Sequence, residues 1–324
     1  MDRRQALGGI AALAAGLGAT PLTHAQVAGG KPVRILVGYA AGGAVDIIAR
    51  TLGQQLQTSL GQPVVIENKP GAGTNLAMRA LIDSPPDGST LMLAANALAA
   101  NVSLYQPPPY DLGRDVTSVS LVGRVPVVLA VSATAEWPNF NAWLAAARAR
   151  PRSVTYATPG NGSTPHLAVE LFTHTAGVDL VHVPYKGGSQ AINDLLGGHV
   201  QAVAVNALEV QPHVKSGKLR VLAVMTPRRS GIFPDVPTVA ELGFPGFEAS
   251  VWYGIIGPRG LPAPLVTRLH GDIQRALGVD DVKQRLASAG GEVVPGSTDM
   301  FAALVASERT RYEKLIRAAR IQPD

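Results

Sequence analysis

The stretch Ile35–Arg50, ILVGYAAGGAVDIIAR, runs an apolar segment into a Gly-Gly turn and then into a helical pattern that opens with an acid. Beyond the turn, Ile48, Leu52, Leu56 and Leu60 recur every fourth residue, which places them on one face of a helix, while VRILVGY before it has the composition of a strand. The unit is therefore strand, turn, helix. A helix N-terminus leaves backbone N–H groups unpaired and carries a partial positive charge, so a glycine turn ahead of it can receive an anion without any basic side chain. The competing reading of Gly42-Gly43 is a tight connection in which Asp46 stabilises the first helical turn. On this stretch alone both readings stand.

The unit repeats along the chain. QPVVIEN, KPGAGTN and LAMRALIDS give a second strand, turn and helix, and STLMLAAN a third strand. The same order returns in SVTYATPGNGSTPHLAVELF and in VDLVHVPYKGGSQAINDLLGG, where Ile192, Leu195, Leu196 and Val200 form the apolar stripe. Gly42 and Gly160 are separated by nearly the same distance as Gly71 and Gly187, which argues for two lobes of similar architecture rather than a short-period solenoid. Parallel βα repetition predicts doubly wound α/β lobes with loops at the carboxyl ends of the strands. Two strand-like stretches, LVGRVPVVLAV and FEASVWYGIIGPRG, are placed to carry the chain into the second lobe and back. The expected division is residues 26–124 plus 250–324 for the first lobe and 125–249 for the second. The chain beyond Pro264 reads as helical, with Phe301, Leu304, Val305, Tyr312, Leu315 and Ile316 apolar, and is expected to pack on the first lobe.

Composition narrows the chemistry. The 324 residues are 46% hydrophobic and 16% charged, enough to bury a large core. The formal charge of +5 is scattered, with no basic tract and few aromatics, so nucleic acid is not an expected partner. Absence of cysteine removes disulfides, thiolate zinc sites and a cysteine nucleophile. Arg3 and Arg4 precede an apolar run from Ala6 to Ala19 and then TPLTHAQ, which reads as an export signal, residues 1–25, cleaved after Ala25. The run is short and glycine-rich, and nothing later supplies the roughly 20 apolar residues of a membrane span. The mature protein is expected outside the cytoplasm.

Three chemistries compete for the glycine turns. GYAAGGAVD does not supply a dinucleotide fingerprint and no P-loop occurs, so no nucleotide cofactor is expected. Ser163, His166 and Asp194 make a conceivable hydrolytic triad, although no G-x-S-x-G elbow is present and Ser163 lies three residues from His166. His166, Glu170 and His174 share a helix face and make a conceivable metal set, against which stands their spread over two turns. The third reading is a cleft where two helix N-termini, one from each lobe, face one small anion.

The blocks GYAAGGAVDIIAR, VVIENKPGAGTNLA, DGSTLMLAANALAANVSLY, YDLGRDVTSVSLV, YATPGNGSTPHLAVELF, VPYKGGSQAINDLLGGHVQ and PDVPTVAELGFPGFEASVWYGIIGPRGLPAP resemble, in order and from about Lys31 onward, the Bug family. These are the periplasmic solute-binding receptors of tripartite tricarboxylate transporters. The resemblance implies a type II periplasmic binding fold, two doubly wound α/β lobes joined by two crossover strands, whose cleft closes on a small organic acid without catalysis, metal or cofactor. It also implies partners, the small and large membrane subunits of the transporter, and a receptor acting as a monomer in the periplasm. Carried over by position, one carboxylate-gripping loop is Tyr39 to Asp46, with Tyr39, Ala40, Gly42, Gly43, Ala44 and Asp46 as contacts. The other is Gly160 to His166, with Gly162, Ser163, Thr164 and His166. Lys186 and Gly187 match a further cleft-facing block, and Asn96 and Asn206 match wall positions. The chain departs from the family pattern at Val45, where a threonine is usual, at Ala40 and Ala41, where proline is usual nearby, and at Pro165. The missing hydroxyl at Val45 favours a less polar acid than citrate.

Overall fold

Val33–Val37 (β1) is buried at every position but one because parallel strands cover both of its edges and helices cover its faces. The computed structural model describes residues 30–288 and 291–323, so the export-signal reading of residues 1–25 lies outside the described residues. Ala44–Leu60 (α1) turns the predicted stripe of Ile48, Leu52, Leu56 and Leu60 inward. It stops at Gly61, whose left-handed conformation returns its amide to the Gln57 carbonyl at 3.2 Å.

Chain order then gives Val64–Asn68 (β2), Asn75–Ile82 (α2), Thr90–Ala94 (β3) and Ala97–Leu104 (α3), followed by Val116–Ser132 (β4) and Phe140–Ala149 (α4). The pattern restarts with Thr155–Thr158 (β5), Thr164–Ala176 (α5), Val181–Pro184 (β6), Gly188–Leu196 (α6), Ala202–Asn206 (β7), Ala207–Lys215 (α7) and Leu219–Val224 (β8). Ser250–Pro258 (β9), Ala263–Gly278 (α8), Asp280–Ser288 (α9), Glu292–Val293 (β10) and Thr298–Ala319 (α10) close the chain.

The strands lie in the order β2-β1-β3-β9-β4-β7-β5-β6, with β8 and β10 also on β4. Each half contains the same parallel trio, β2-β1-β3 or β6-β5-β7, flanked by one antiparallel strand, β9 or β4. Thus β1, β2 and β3 correspond to β5, β6 and β7, and the helices after them correspond too. The strand β4 belongs to both halves: Val116–Pro126 pair with β9, and Val127–Ser132 pair with β7 and β8. The chain returns where Met225 N–H donates to Val127 O at 2.9 Å and Ala249 N–H to Met225 O at 2.7 Å; β9 then begins with Ser250 opposite Pro126.

The C-terminal helices complete the first lobe. Phe301, Val305, Tyr312 and Ile316 of α10 are buried against α3 and β4, and the ring of Phe301 lies on the bare backbone of Gly254. Burying one such aromatic ring is worth about 1.5–3 kcal/mol.

Candidate functional site

Each lobe presents the loop after its first strand to the other lobe. In the first, Gly42 adopts a left-handed conformation, φ 81°, which brings its amide to Asp46 Oδ2 at 3.0 Å. Asp46 is buried and also accepts from Arg50 at 2.9 Å and from Asn68 Nδ2 at 3.0 Å. Burial pushes its pKa up, but the Arg50, Gly42 and Asn68 donors outweigh burial and hold it below the usual carboxylate value. The same Asn68 amide donates to Tyr39 O at 3.1 Å. Asp46 therefore braces the loop, and its acceptor sites face protein donors.

In the second, Gly162 is also left-handed, φ 71°, and its amide reaches a side chain four residues on, His166 Nδ1 at 3.2 Å. An Nδ1 that accepts is unprotonated, so the ring is neutral with its hydrogen on Nε2, 3.9 Å from Glu170. Burial, and then the neighbouring His182, push the His166 pKa well down. The two imidazoles stack at 4.1 Å, and the far face of His182 stacks on Tyr156 at 4.9 Å. Ser163 caps α5 by accepting the His166 backbone amide at 3.4 Å, the His166 ring is bonded to Gly162, and Asp194 on α6 accepts from the Tyr185 hydroxyl, so the three side chains form no relay. Among the described residues no three metal-ligating side chains converge, His166, Glu170 and His174 included.

Between the loops lies a cavity bordered by Tyr39, Gly43, Ala44, Ser163, Thr164 and Asn206 of the expected residues, together with Val45, Ala95, Pro159, Pro165, Gly188, Glu209, Val251 and Tyr253. It offers about 20 Å³ to the centre of a water-sized sphere, room for about one water. The buried Thr164 and Tyr253 hydroxyls border it without a hydrogen-bond partner. Burial, reinforced by the Glu209 charge, keeps the Tyr39 and Tyr253 hydroxyls protonated.

Glu209, the third residue of α7, was not legible as a site residue. Its Oε2 accepts the Asn206 amide at 3.1 Å and Asn206 Nδ2 at 3.2 Å, and its Oε1 crosses the cleft to accept the Ala44 amide at the start of α1 at 3.0 Å. Gly188 admits the carboxylate, since a Cβ there would lie 2.3 Å from Oε1. Burial pushes the Glu209 carboxyl up, opposed by those three hydrogen bonds. The spacing Asn206 to Glu209, N-cap to third helical residue, is the one sequence signal that pointed to it.

The remaining expected residues lie off the cavity. Ala40 N–H donates to Lys186 O at 2.8 Å, and a Cβ on Gly187 would meet that of Ala40 at 3.1 Å, so this block seals the two lobes against each other. Gly42, Asp46, Gly162 and His166 shape the loops from behind. Asn96 is turned into the first lobe, where its amide group donates to Glu308 at 3.0 Å and Tyr312 at 2.8 Å and its oxygen accepts the Trp252 amide at 3.0 Å. The structurally corresponding Asn206 does reach the cleft.

Residues 48–321 match the tripartite tricarboxylate transporter family receptor model. The BugT protein of Bordetella pertussis is 38% identical over 98% of this chain and 97% of its own length. Among solved structures, an R. palustris protein with adipate superposes with a TM-score of 0.87 at 34% identity, covering 91% of this chain and 99% of that one. MatC from Rhodopseudomonas palustris with bound malate gives 0.84 at 30% identity, covering 88% and 99%. Fold and cleft define a solute-binding receptor of the type II periplasmic binding class, not an enzyme. The chain belongs to the tripartite tricarboxylate transporter receptor family, the Bug proteins.

Proposed function

We propose that this receptor captures a small carboxylate-bearing organic acid between its lobes and delivers it to the small and large membrane subunits of a tripartite tricarboxylate transporter. The observation that carries this reading is the pairing of a helix N-terminus, that of α5, with the unpartnered hydroxyls of Thr164 and Tyr253 on one buried cavity. Unpaired buried hydroxyls are costly, and a ligand oxygen relieves them. The adipate and malate carried by related proteins support the same ligand class.

The proposed contacts are Tyr39, Gly43, Ala44, Ser163, Thr164 and Asn206 directly, with Gly42, Asp46, Gly162 and His166 holding the loops, and Ala40, Lys186 and Gly187 closing over the ligand. The moving bodies are residues 26–124 plus 250–324 and residues 125–249. The receptor is proposed to act as a monomer in the periplasm after loss of residues 1–25; among the described residues no helix is long and apolar enough to cross a membrane.

A ligand that binds only the folded state stabilises it, by about 2.7 kcal/mol at a hundredfold excess over Kd, which appears as a rise of several degrees in Tm. Protein freed of carried-over ligand by unfolding and refolding is screened with di- and tricarboxylates, amino acids and aromatic acids, each beside its amide or ester. Acids stabilise and their uncharged partners do not. Equal shifts from acid and amide would overturn carboxylate capture.

A further inference from the structure

For a cleft read as a receptor for acids, the charge on its wall is of the wrong sign. Of the residues bordering the cavity, Glu209 alone carries a full charge, and no lysine or arginine is among them. Its three hydrogen-bond donors, the Ala44 amide, the Asn206 amide and the Asn206 side chain, are all neutral, and among the described residues no ion pair includes it. A carboxylate offers about four lone-pair sites, so one remains for a ligand. A buried carboxylate held only by neutral donors is under-compensated and gains from a cation.

Glu209 also decides which helix end is available. The sequence places an anion over Gly42-Gly43, and there is one: the protein's own. The Ala44 amide at the start of α1 is already engaged at 3.0 Å. A ligand carboxylate that displaced Glu209 would gain that donor only by stranding a buried charge, because Gly188 and Gly43 pack so closely against it that an added Cβ would lie 2.3 and 3.1 Å from Oε1. The α5 end is different. There Pro165 has no N–H and Ser163 caps the His166 amide, which leaves the Thr164 amide without an intrahelical partner, and the Thr164 hydroxyl is buried and unpaired.

We infer that Glu209 is a specificity-determining residue that selects an acid carrying a protonated amine, the ligand's carboxylate lying at the α5 N-terminus and its ammonium against the free lone pair of Glu209. This rests on the receptor reading above and narrows it to zwitterionic acids. An acid without the amine sets a second negative charge beside Glu209 and is accepted only if one of the two takes up a proton.

The test is titration calorimetry on the refolded full chain with matched pairs: aspartate and succinate, glutamate and glutarate, 4-aminobutyrate and butyrate, each beside the corresponding amide. In the wild type at least one amino acid is expected to bind about tenfold or more tighter than its amine-free partner, a difference of about 1.4 kcal/mol. Glu209→Gln, which keeps an oxygen for the Ala44 amide and removes the charge, is expected to narrow that ratio to about threefold or less while the amine-free acid binds as well or better. Amine-free acids that match or exceed their amino partners in the wild type overturn the inference and leave the receptor reading standing. Uptake of one proton per ligand, read from buffers of different ionisation enthalpy, identifies a protonated Glu209 as the reason. If the amides bind as well as the acids, or no acid of either kind binds, the receptor reading itself falls. The wild-type comparison decides the matter even if the variant does not fold.

Discussion

The two glycine turns look alike in sequence and are built alike: a left-handed glycine donates its amide to a side chain four residues on, Gly42 to Asp46 and Gly162 to His166. Each also packs on the opposite lobe, the first against Lys186 and Gly187, the second against Asn101 and Leu104. They differ in what holds the brace and in what fills the helix end. The first brace is ionic, Asp46 with Arg50, and the protein's own Glu209 accepts the Ala44 amide at the helix start. The second is a neutral aromatic stack, His166 on His182 on Tyr156, and its end opens on the unpaired Thr164 hydroxyl. Equivalent backbones thus meet the protein's own carboxylate at one helix start and an unpaired hydroxyl at the other.

Gly162→Val and Gly43→Ala should separate the two turns most sharply. Gly162 is left-handed, and a Cβ there would lie 2.8 Å from Asn101 Oδ1 and 2.9 Å from Leu104. Gly162→Val is expected to lose about 2–4 kcal/mol of stability, through backbone strain and the clash together, and to prevent closure on any ligand. Gly43 sits at φ −82°, ψ 172°, extended backbone open to any residue, and a Cβ there would meet Glu209 Oε1 at 3.1 Å, Ala40 O at 3.6 Å and Gly188 N at 3.9 Å. Gly43→Ala is expected to cost under about 1 kcal/mol of stability while shifting ligand affinity through Glu209. Urea unfolding and calorimetry on both variants check this; equal stability losses would make the turns equivalent after all.

Acid should loosen the second turn before the first. Burial lowers the His182 pKa from 6.5 to about 4, and His166 shifts in the same direction. As pH falls below 6.5 the unfolded chain takes up the protons first, so stability drops between there and about 4 and then levels. For one histidine the drop is on the order of 3 kcal/mol. Asp46, lowered from 3.8, keeps its contribution until pH falls below that value. Glu209, raised from 4.5, has the opposite sign: the folded state holds its proton more tightly, so its cost appears as pH rises through 4.5. His182→Gln is expected to shrink the loss between pH 6.5 and 4, measured by urea unfolding across that range. An unchanged slope would remove the imidazole stack as the brace's weak point.

The α/β repeat was legible because its cues are local: strand composition, a glycine turn and a four-residue apolar spacing recur four times. Helices α3 and α7 were harder to read for physical reasons. The first, ALAANVSL, is apolar on nearly every face because it is buried between α10 and the sheet, so no periodicity marks it. The second carries Pro212 within its length. At the site, the residues read from the glycine loops do border the cavity or hold its walls, since backbone turns are written in the sequence next to their function. Asn96 and Asn206 occupy corresponding helix starts, and only packing across the lobe decides that one serves the core and the other the cleft. The capping spacing marks Glu209 only as a helix-start residue, and its bond across the cleft is hidden because its partner, Ala44, is 165 residues away.

The smallest effect should come from the outermost part of the first brace. Arg50 is bonded to Asp46 at 2.9 Å, but its side chain is 54% exposed, so water and salt screen the pair. In Arg50→Gln, Asp46 keeps the Gly42 amide and Asn68, and the expected loss is about 0.5–1 kcal/mol at low ionic strength. Raising the salt to roughly 0.5 M should erase most of that difference, because the Debye length then falls below the span of the exposed pair's surroundings. The His182→Gln difference should persist in the same salt, since a buried neutral stack has no charge to screen. Equal salt sensitivity in the two variants would mean that the turns are held by the same physics, and that ionic against aromatic bracing does not distinguish them.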